Sequence, residues 1–133
     1  MATIPATHQD LFTPEKKSFA MLATVQPDGT PQVTPVWFDL HGGNVRINTA
    51  KGRVKTRNMK QNSSVAIAIM DPANPYRYIQ VRGKVVVVTE ENADAHIDSL
   101  AMKYLGQEKY PFRQPGEERI IFEIEPASFQ AMG

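Results

Sequence analysis

The chain has 133 residues, of which 41% are hydrophobic and 22% charged, with a formal net charge of +1 and no cysteine. This composition predicts a single globular domain over residues 1–133, and the near-neutral charge argues against a nucleic-acid-binding module. The lack of cysteine excludes disulfides, zinc–thiolate sites and a cysteine nucleophile, and fits a cytoplasmic protein. No signal-peptide pattern or membrane-spanning apolar run is present.

The first part of the chain is predicted to form a short helix and three strands. The helix covers 5–12 and the strands cover 19–25, 32–40 and 45–49. Asp28-Gly29 and Gly42-Gly43 are hairpin-turn pairs and separate the strands. Pro35 cannot donate a ladder hydrogen bond, so it predicts an edge position or a bulge.

The second part alternates further strands with two helices. Strands are predicted over 65–71, 76–89 and 119–125, and a short helix within 53–60. A longer helix is predicted over 90–105, with an apolar stripe at Ala93, His96, Ile97, Leu100, Ala101 and Tyr104. Gly83 indicates a bulge, and Pro126 is expected to end the last strand. Val86 and Val88 make one strand end apolar on both faces, which predicts that a helix or a partner chain covers it.

Six strands with short turns and no βαβ repeat indicate a mainly β (α+β) fold. The predicted architecture is a six-stranded antiparallel barrel with short covering helices.

Cations are concentrated in NTAKGRVKTRNMKQN, residues 48–62, and no acidic residue occurs between Asp39 and Asp71. A hydroxyl at Thr49, free N–H groups at a helix start and nearby cations form a suitable environment for a phosphate. In a regular helix, Lys55 would point about 200° away from Arg53. Either Arg53 therefore belongs to the preceding loop, or the cations divide between a phosphate and a second anionic group. A solvated helix face remains the alternative.

No side-chain constellation in the sequence indicates catalysis on its own, so the catalytic residues are unknown and a cofactor is expected to supply the chemistry. His8, His41 and His96 lack metal-ligand spacing, and no metal site is predicted. The glutamates at 117, 118, 123 and 125 are interpreted as solvated. Tyr76 and Tyr78 share a strand face and could flank a planar ring, although ordinary aromatic packing is the alternative.

Four blocks of the sequence resemble the pyridoxamine 5′-phosphate oxidase-like split β-barrel family, whose fold is FMN-binding-like. They are LATVQPDGTPQVTPVWF (22–38), NTAKGRVKTRNMKQN (48–62), DPANPYRYIQVRGKV (71–85) and YLGQEKYPFR (104–113). The second and fourth blocks look like the short actinobacterial branch that uses the deazaflavin coenzyme F(420). True pyridoxamine phosphate oxidases carry longer C-terminal substrate-binding elements, so oxidation of pyridoxamine phosphate is not expected.

The resemblance implies a homodimer with cofactor sites at its interface. Arg53, Lys55 and Thr49 would hold the cofactor phosphate, and Arg57, with Lys60, would suit the anionic tail of F(420). The residues expected along the ring system are Gln32, Thr34, Pro35, Val36 and Asn48. Tyr76 and Tyr78 would come from the neighbouring subunit.

These observations predict an oxidoreductase that uses bound F(420) for hydride transfer to a small unsaturated acceptor. FMN is the alternative cofactor, and a non-catalytic cofactor-binding protein is the alternative function. No nucleic-acid or membrane partner is expected.

Overall fold

The computed structural model describes residues 2–133, which form seven strands, two α-helices and one 3₁₀ helix. The 3₁₀ helix covers Ala6–Phe12. The strands are β1 (Ala20–Val25), β2 (Pro31–Val36), β3 (Phe38–His41), β4 (Asn44–Ala50), β5 (Ser64–Asp71), β6 (Asn74–Thr89) and β7 (Arg119–Met132). The α-helices are α1 (Val54–Gln61) and α2 (Ala93–Leu105).

All strand pairs are antiparallel, and the sheet order is β2-β1-β5-β6-β7-β4-β3. The two edge strands, β2 and β3, are consecutive in the chain and are joined by Trp37 alone, so the sheet curls into a split barrel. The predicted fold class is confirmed. The single strand expected over 32–40 is wrong, because the chain leaves one sheet edge at Trp37 and enters the other, which raises the count from six to seven.

The turn predictions are confirmed at both hairpins. Gly42 and Gly43 have φ values of 59° and 85°, which the two-residue turn between β3 and β4 requires. At the β1–β2 turn, the Asp28 carboxylate accepts a hydrogen bond from the Thr30 N–H at 3.0 Å. Pro35 lies on edge strand β2, where its missing N–H costs no ladder bond.

The long strands β6 and β7 pair through two register shifts. One shift lies at Gly83, as predicted, and a Cβ there would collide with the carbonyl oxygen of Glu125. Pro126 does not end β7, contrary to expectation. It pairs opposite Gly83 at this bulge, where the ladder is already interrupted, so the strand continues to Met132.

The barrel interior is filled by alternate residues of every strand, and α1 and the 3₁₀ helix contribute Met59, Leu11 and Phe12 to the same core. This arrangement follows from the period-2 apolar pattern. The fully buried strand residues include Leu22, Phe38, Val45, Ile47, Ile69, Ile79, Val81, Phe122 and Ile124.

Helix α2 covers the outer face of β4 and β7. The predicted apolar stripe is confirmed, since the buried residues are Ala93, His96, Ile97, Leu100, Ala101 and Tyr104. Gly106 ends the helix in a left-handed conformation, with φ of 68°, and its N–H bonds back to the last turn. Neither α-helix could traverse a bilayer, because no helix within residues 2–133 combines enough length with enough hydropathy.

No helix of the described chain covers the outer face of β2, β1, β5 and β6, which we call the bare face. Outward residues that are small or apolar pair across it on neighbouring strands, such as Ala23 with Ala66 and Met21 with Ala68. Large apolar side chains are exposed there: Val33 is 59% and Met70 46% exposed. Met70, Tyr78 and Met132 form a cross-strand row at its edge.

Val86 and Val88, on the far end of β6, are also half exposed, so residues 2–133 do not give them the double coverage that was expected. Coverage of this end by a second chain stays a prediction.

Candidate functional site

A cavity of about 210 Å³ opens between the β2–β3 junction, β4, the start of α1, and α2. A segment without regular structure, residues 106–118, passes beside it, and we call this segment the strap. Aromatic and aliphatic side chains form most of the lining, and one side carries cations. The lining residues are Phe19, Pro35, Val36, Trp37, Asn48, Arg53, Lys55, Ile97, Tyr110, Phe112 and Arg119.

Stacked and edge-on rings form the aromatic wall. The Trp37 ring stacks on Tyr104 with centroids 5.2 Å apart and planes 6° apart, and it meets Tyr110 edge-on at 5.9 Å. Tyr110 in turn meets Phe112 edge-on at 5.7 Å. Phe19 and Phe112 are 50% and 58% exposed, so they lie at the mouth of the cavity. This wall suits a planar ligand.

Tyr104 anchors the wall from behind. Its hydroxyl donates to the carbonyl of Ser18 and accepts the N–H of Phe38 at 3.3 Å. Burial raises the pKa of Tyr104 above its ordinary value, which keeps the hydroxyl protonated and able to donate. The ring that supports Trp37 is therefore held at its far end by two backbone groups.

Arg53 and Lys55 reach the cavity from the β4–α1 connection. Gly52 has φ of 89°, and this turn places Arg53 in an extended conformation at the N-cap, before α1 begins at Val54. The alternative left open by the sequence is thereby decided, because Arg53 belongs to the loop and can share a cavity with Lys55. Burial, together with the charges of Arg53 and Arg119, lowers the pKa of Lys55. The cluster therefore carries uncompensated positive charge.

Arg119 is the third cation and is almost fully buried. It forms an ion pair with Glu117 and lies over the Tyr110 ring, 5.1 Å from its centroid. The side chain of Glu117 is only 7% exposed and also lies 3.8 Å from Arg53, so interpreting this glutamate as solvated is wrong. Burial raises the pKa of Glu117, but hydrogen bonds from the Gln114 N–H and Arg119 outweigh it, and the net pKa is lowered.

Glu123 likewise does not lie on a solvated face. Its side chain is 13% exposed, and it contacts His41 at 3.2 Å.

A chain of polar side chains runs under α2 behind the cavity. Asn48 accepts a hydrogen bond from Arg119 Nε at 2.8 Å and donates to the Ala93 carbonyl at 2.8 Å and to His96 Nδ1 at 3.1 Å. His96 Nε2 then contacts Asp39, which also receives two hydrogen bonds from Arg46. Burial raises the pKa of Asp39, but the bonds from His96 and Arg46 lower it to about 2.

The strap is fastened to the outside of α2. Arg113 forms ion pairs with Asp94 at 2.9 Å and with Asp98 at 3.1 Å, and the N–H of Tyr110 donates to Asp98 at 2.8 Å. These contacts place Tyr110 and Phe112 beside Trp37. The arginine of YLGQEKYPFR is thus a fastener for the strap and does not line the cavity.

Five of the predicted site residues meet in this cavity: Pro35, Val36, Asn48, Arg53 and Lys55. Six do not line it. Gln32 and Thr49 hold secondary structure in place, by hydrogen bonds with Thr24 and with Thr56, and Thr49 is buried. The others are Thr34, Arg57, Tyr76 and Tyr78.

Each of these four has its own surroundings. The Thr34 hydroxyl is buried without a hydrogen-bond partner in the described chain. Arg57 is exposed and donates to the Gly52 carbonyl at 2.6 Å. Tyr76 and Tyr78 project from the outer side of β6, 84% and 37% exposed. Their contribution to a neighbouring subunit's site stays a prediction.

The sequence interpretation missed Arg119 and the aromatic wall of Trp37, Tyr104, Tyr110 and Phe112. The block YLGQEKYPFR contains three of these aromatics, and its density of rings in a proline-containing loop was an available signal. Arg119 gave none, because its position after Glu117-Glu118 looks like part of a solvated charge run. In residues 2–133, no group of three or more potential metal ligands comes together.

The model of the pyridoxamine 5′-phosphate oxidase family matches residues 4–133. Among solved structures, an F(420) reductase is 35% identical, with a TM-score of 0.82, and the match covers 96% of this chain and 98% of that one. A conserved hypothetical protein from Mycobacterium tuberculosis is 19% identical, with a TM-score of 0.74 and coverage of 98% and 85%.

The heme storage protein HutZ from Vibrio cholerae shares the fold at 16% identity, with a TM-score of 0.69 and coverage of 96% and 94%. Among curated protein sequences, none matches the chain. The family match extends over nearly every described residue, including all those that line the cavity. The chain belongs to the pyridoxamine 5′-phosphate oxidase family.

Proposed function

We propose that this protein is an oxidoreductase that binds coenzyme F(420) in the cavity and transfers hydride between it and a small unsaturated acceptor. The observation that carries the proposal is the convergence of Arg53, Lys55 and Arg119 at one end of an aromatic-walled cavity. Glu117 is the one carboxylate in contact with this cluster within residues 2–133. An anionic ligand with a flat ring fits both features.

Each part of the cavity has a role in this proposal. Arg53 extends from the β4–α1 turn and Lys55 from the first turn of α1. Both hold the phosphate, and no carboxylate within residues 2–133 competes for Lys55. Pro35, Val36 and Trp37 form the floor along the ring. The cofactor, when bound, supplies two-electron hydride chemistry, and the chain's residues bind it, orient it and exclude water.

Three observations favour F(420) over FMN. The F(420) reductase is 35% identical over nearly the full length of both chains. The block YLGQEKYPFR supplies Tyr104, Tyr110 and Phe112 to the wall. Arg57 and Lys60 are exposed on α1 beyond the cavity, where their charge suits an anionic tail that extends past the phosphate.

We further propose that a second copy of the chain completes the site. At about 210 Å³ the cavity is smaller than the roughly 300–1,000 Å³ of typical ligand pockets. The bare face exposes apolar surface of the kind that marks protein interfaces. Tyr76 and Tyr78 would then reach the cavity of the partner chain, as the family resemblance implies.

The test is a titration of the apo-protein with F(420) and, separately, with FMN, followed by the fluorescence of Trp37, the single tryptophan. We expect tight binding of F(420), and Lys55→Ala should weaken it at least tenfold, since a charge-assisted contact contributes about 1.5–3 kcal/mol. Lys16→Ala is the matched control, because Lys16 contacts Asp10 and does not line the cavity, and it should change affinity by less than about threefold.

Equal affinity in Lys55→Ala and wild type would refute the phosphate assignment. Preference for FMN, with bound flavin in the purified protein, would replace F(420) by FMN.

A non-catalytic cofactor-binding role is the second candidate, favoured by the heme storage protein that shares the fold. The two candidates differ in turnover. Reduced F(420) is mixed with quinones, enones and nitroaromatic acceptors, and its oxidation is followed by absorbance. Acceleration by wild type that Lys55→Ala reduces supports the oxidoreductase, whereas tight binding without turnover on any acceptor supports the binding role.

A further inference from the structure

Arg119 is a buried cation, and two of its three guanidinium nitrogens donate hydrogen bonds within residues 2–133. Its Nε donates to Asn48 and its Nη1 pairs with Glu117, while the third nitrogen, Nη2, donates no hydrogen bond within residues 2–133. The side chain is 3% exposed, yet the residue lines the cavity. A guanidinium so enclosed leaves its remaining donor group for a ligand.

Asn48 determines how this guanidinium is oriented. Its oxygen faces Arg119 Nε at 2.8 Å, and its Nδ2 faces two acceptors on α2, the Ala93 carbonyl at 2.8 Å and His96 Nδ1 at 3.1 Å. Rotating the amide by 180° would oppose its oxygen to the Ala93 carbonyl and its NH₂ to the Arg119 N–H. Both contacts would become unfavourable whatever the tautomer of His96, so the orientation is fixed.

His96 can accept this hydrogen bond because its proton is held on the other nitrogen. An amide nitrogen can only donate, so His96 Nδ1 is the acceptor and Nε2 carries the hydrogen. That hydrogen points to Asp39 Oδ1 at 3.1 Å, and Arg46 holds the same carboxylate with two hydrogen bonds. Asp39 on β3 and Arg46 on β4 therefore set the tautomer of His96. Through Asn48, that tautomer helps to fix the orientation of Arg119 on β7.

We propose that His96 and Asn48 are positioning residues that hold Arg119 so that its Nη2 binds an anionic or carbonyl oxygen of the ligand. Asn48 then acts through Arg119 and donates no hydrogen bond to the ligand itself, because both hydrogens of its amide are already engaged within the chain. The identity of the ligand rests on the proposed function. The positioning of Arg119 does not, and it can be measured without any ligand.

Two replacements of His96 separate its two hydrogen bonds. In His96→Asn, Oδ1 is bonded to Cγ as Nδ1 is in histidine, so the acceptor for Asn48 is kept and the contact with Asp39 is lost. In His96→Gln, the amide nitrogen can replace Nε2 toward Asp39, but the acceptor for Asn48 is lost. Each variant gives up one buried hydrogen bond, so their melting temperatures should be similar.

The ligand-free measurement is hydrogen exchange of the Arg119 Nε–H, observed by nitrogen-15 NMR of the full chain and assigned with Arg119→Lys. We expect slow exchange in wild type and in His96→Asn, and about tenfold faster exchange in His96→Gln, since an unsatisfied Asn48 donor weakens the preference for one amide orientation. Equal exchange in the two variants would overturn the positioning role, whatever their melting temperatures.

The ligand measurement is the affinity for F(420). Arg119→Lys and His96→Gln should each bind at least about tenfold more weakly than wild type, and His96→Asn should stay within about threefold. If both His96 variants lose affinity to the same extent, the histidine has only a structural role and the inference is overturned. If wild type does not bind F(420), the proposed function fails, and the exchange contrast alone decides the positioning of Arg119.

Discussion

The two outer faces of the barrel differ in what covers them. On β3, β4 and β7 the chain supplies its own cover, α2, and the polar groups beneath it are paired from Arg46 to Arg119. On β2, β1 and β5 the outward residues are small or apolar, β6 adds the polar residues Gln80, Arg82 and Lys84, and no helix of the described chain covers this face. A buried polar network fixes geometry, whereas an exposed apolar surface gains free energy only by association. The covered face thus orients the cations of the cavity, and the bare face is suited to bind a second copy.

The largest effect is expected from placing a charge on the bare face. In Ala68→Arg, the new side chain would project outward beside Met21 and Gln80. In a two-fold interface each substitution occurs twice, so like charges meet, and the dimer should weaken by at least about 100-fold. Sedimentation velocity over a concentration series measures this. Met102→Arg places the same charge on exposed α2 and should leave the association unchanged. A wild-type monomer at high concentration would refute the second-copy proposal.

On the covered face, the acid sensitivity of stability should depend on Asp39. Hydrogen bonds from His96 and Arg46 lower its pKa to about 2 in the folded state, against an ordinary value of 3.8. Its stabilisation is therefore complete above about pH 4 and lost as the pH falls through about 2, and amounts to roughly 2 kcal/mol. Urea unfolding between pH 6 and pH 2.5 measures this, and Asp39→Asn should flatten the profile. An unchanged profile would contradict the assignment.

A smaller loss is expected from Tyr104→Phe, which keeps the ring stacked on Trp37 but removes the hydroxyl. The Ser18 carbonyl and the Phe38 N–H then lack their buried partner, which should lower the free energy of unfolding by about 1–2 kcal/mol. Tyr110→Phe is the control, since the Tyr110 hydroxyl makes no hydrogen bond within residues 2–133. Similar denaturation midpoints for the two variants would argue against the anchoring role of Tyr104.

The smallest effect is expected from Arg113→Ala, which removes the ion pairs that fasten the strap. Arg113 is 37% exposed, and solvated pairs contribute little, so the free energy of unfolding should fall by less than about 1 kcal/mol. Exchange of the Tyr110 N–H, bonded to Asp98, should nevertheless become faster. Unchanged exchange there would show that the cation–π contact with Arg119 suffices to hold the strap.

The sequence predicted features that depend on local pattern. The stripe on α2, the glycine turns and the Gly83 bulge follow from residues close in the chain. The break between β2 and β3 at Trp37, and the continuation of β7 through Pro126, depend on which strands pair with each segment. The residues of one strand do not reveal its pairing partners. The same limit explains the site: Arg53 and Lys55 were found because they are neighbours, whereas Arg119 and Glu117 reach them only after β7 pairs with β4.

Trp37 joins the two edges of the sheet and also forms a wall of the cavity. The barrel has a seam there, crossed by one covalent link and by no strand ladder between β2 and β3. Because Trp37 belongs to both, separation of the two edges is expected to widen the cavity. A ligand stacked on Trp37 should therefore hold the edges together and reduce fluctuations of both edge strands, including parts of them that it does not touch.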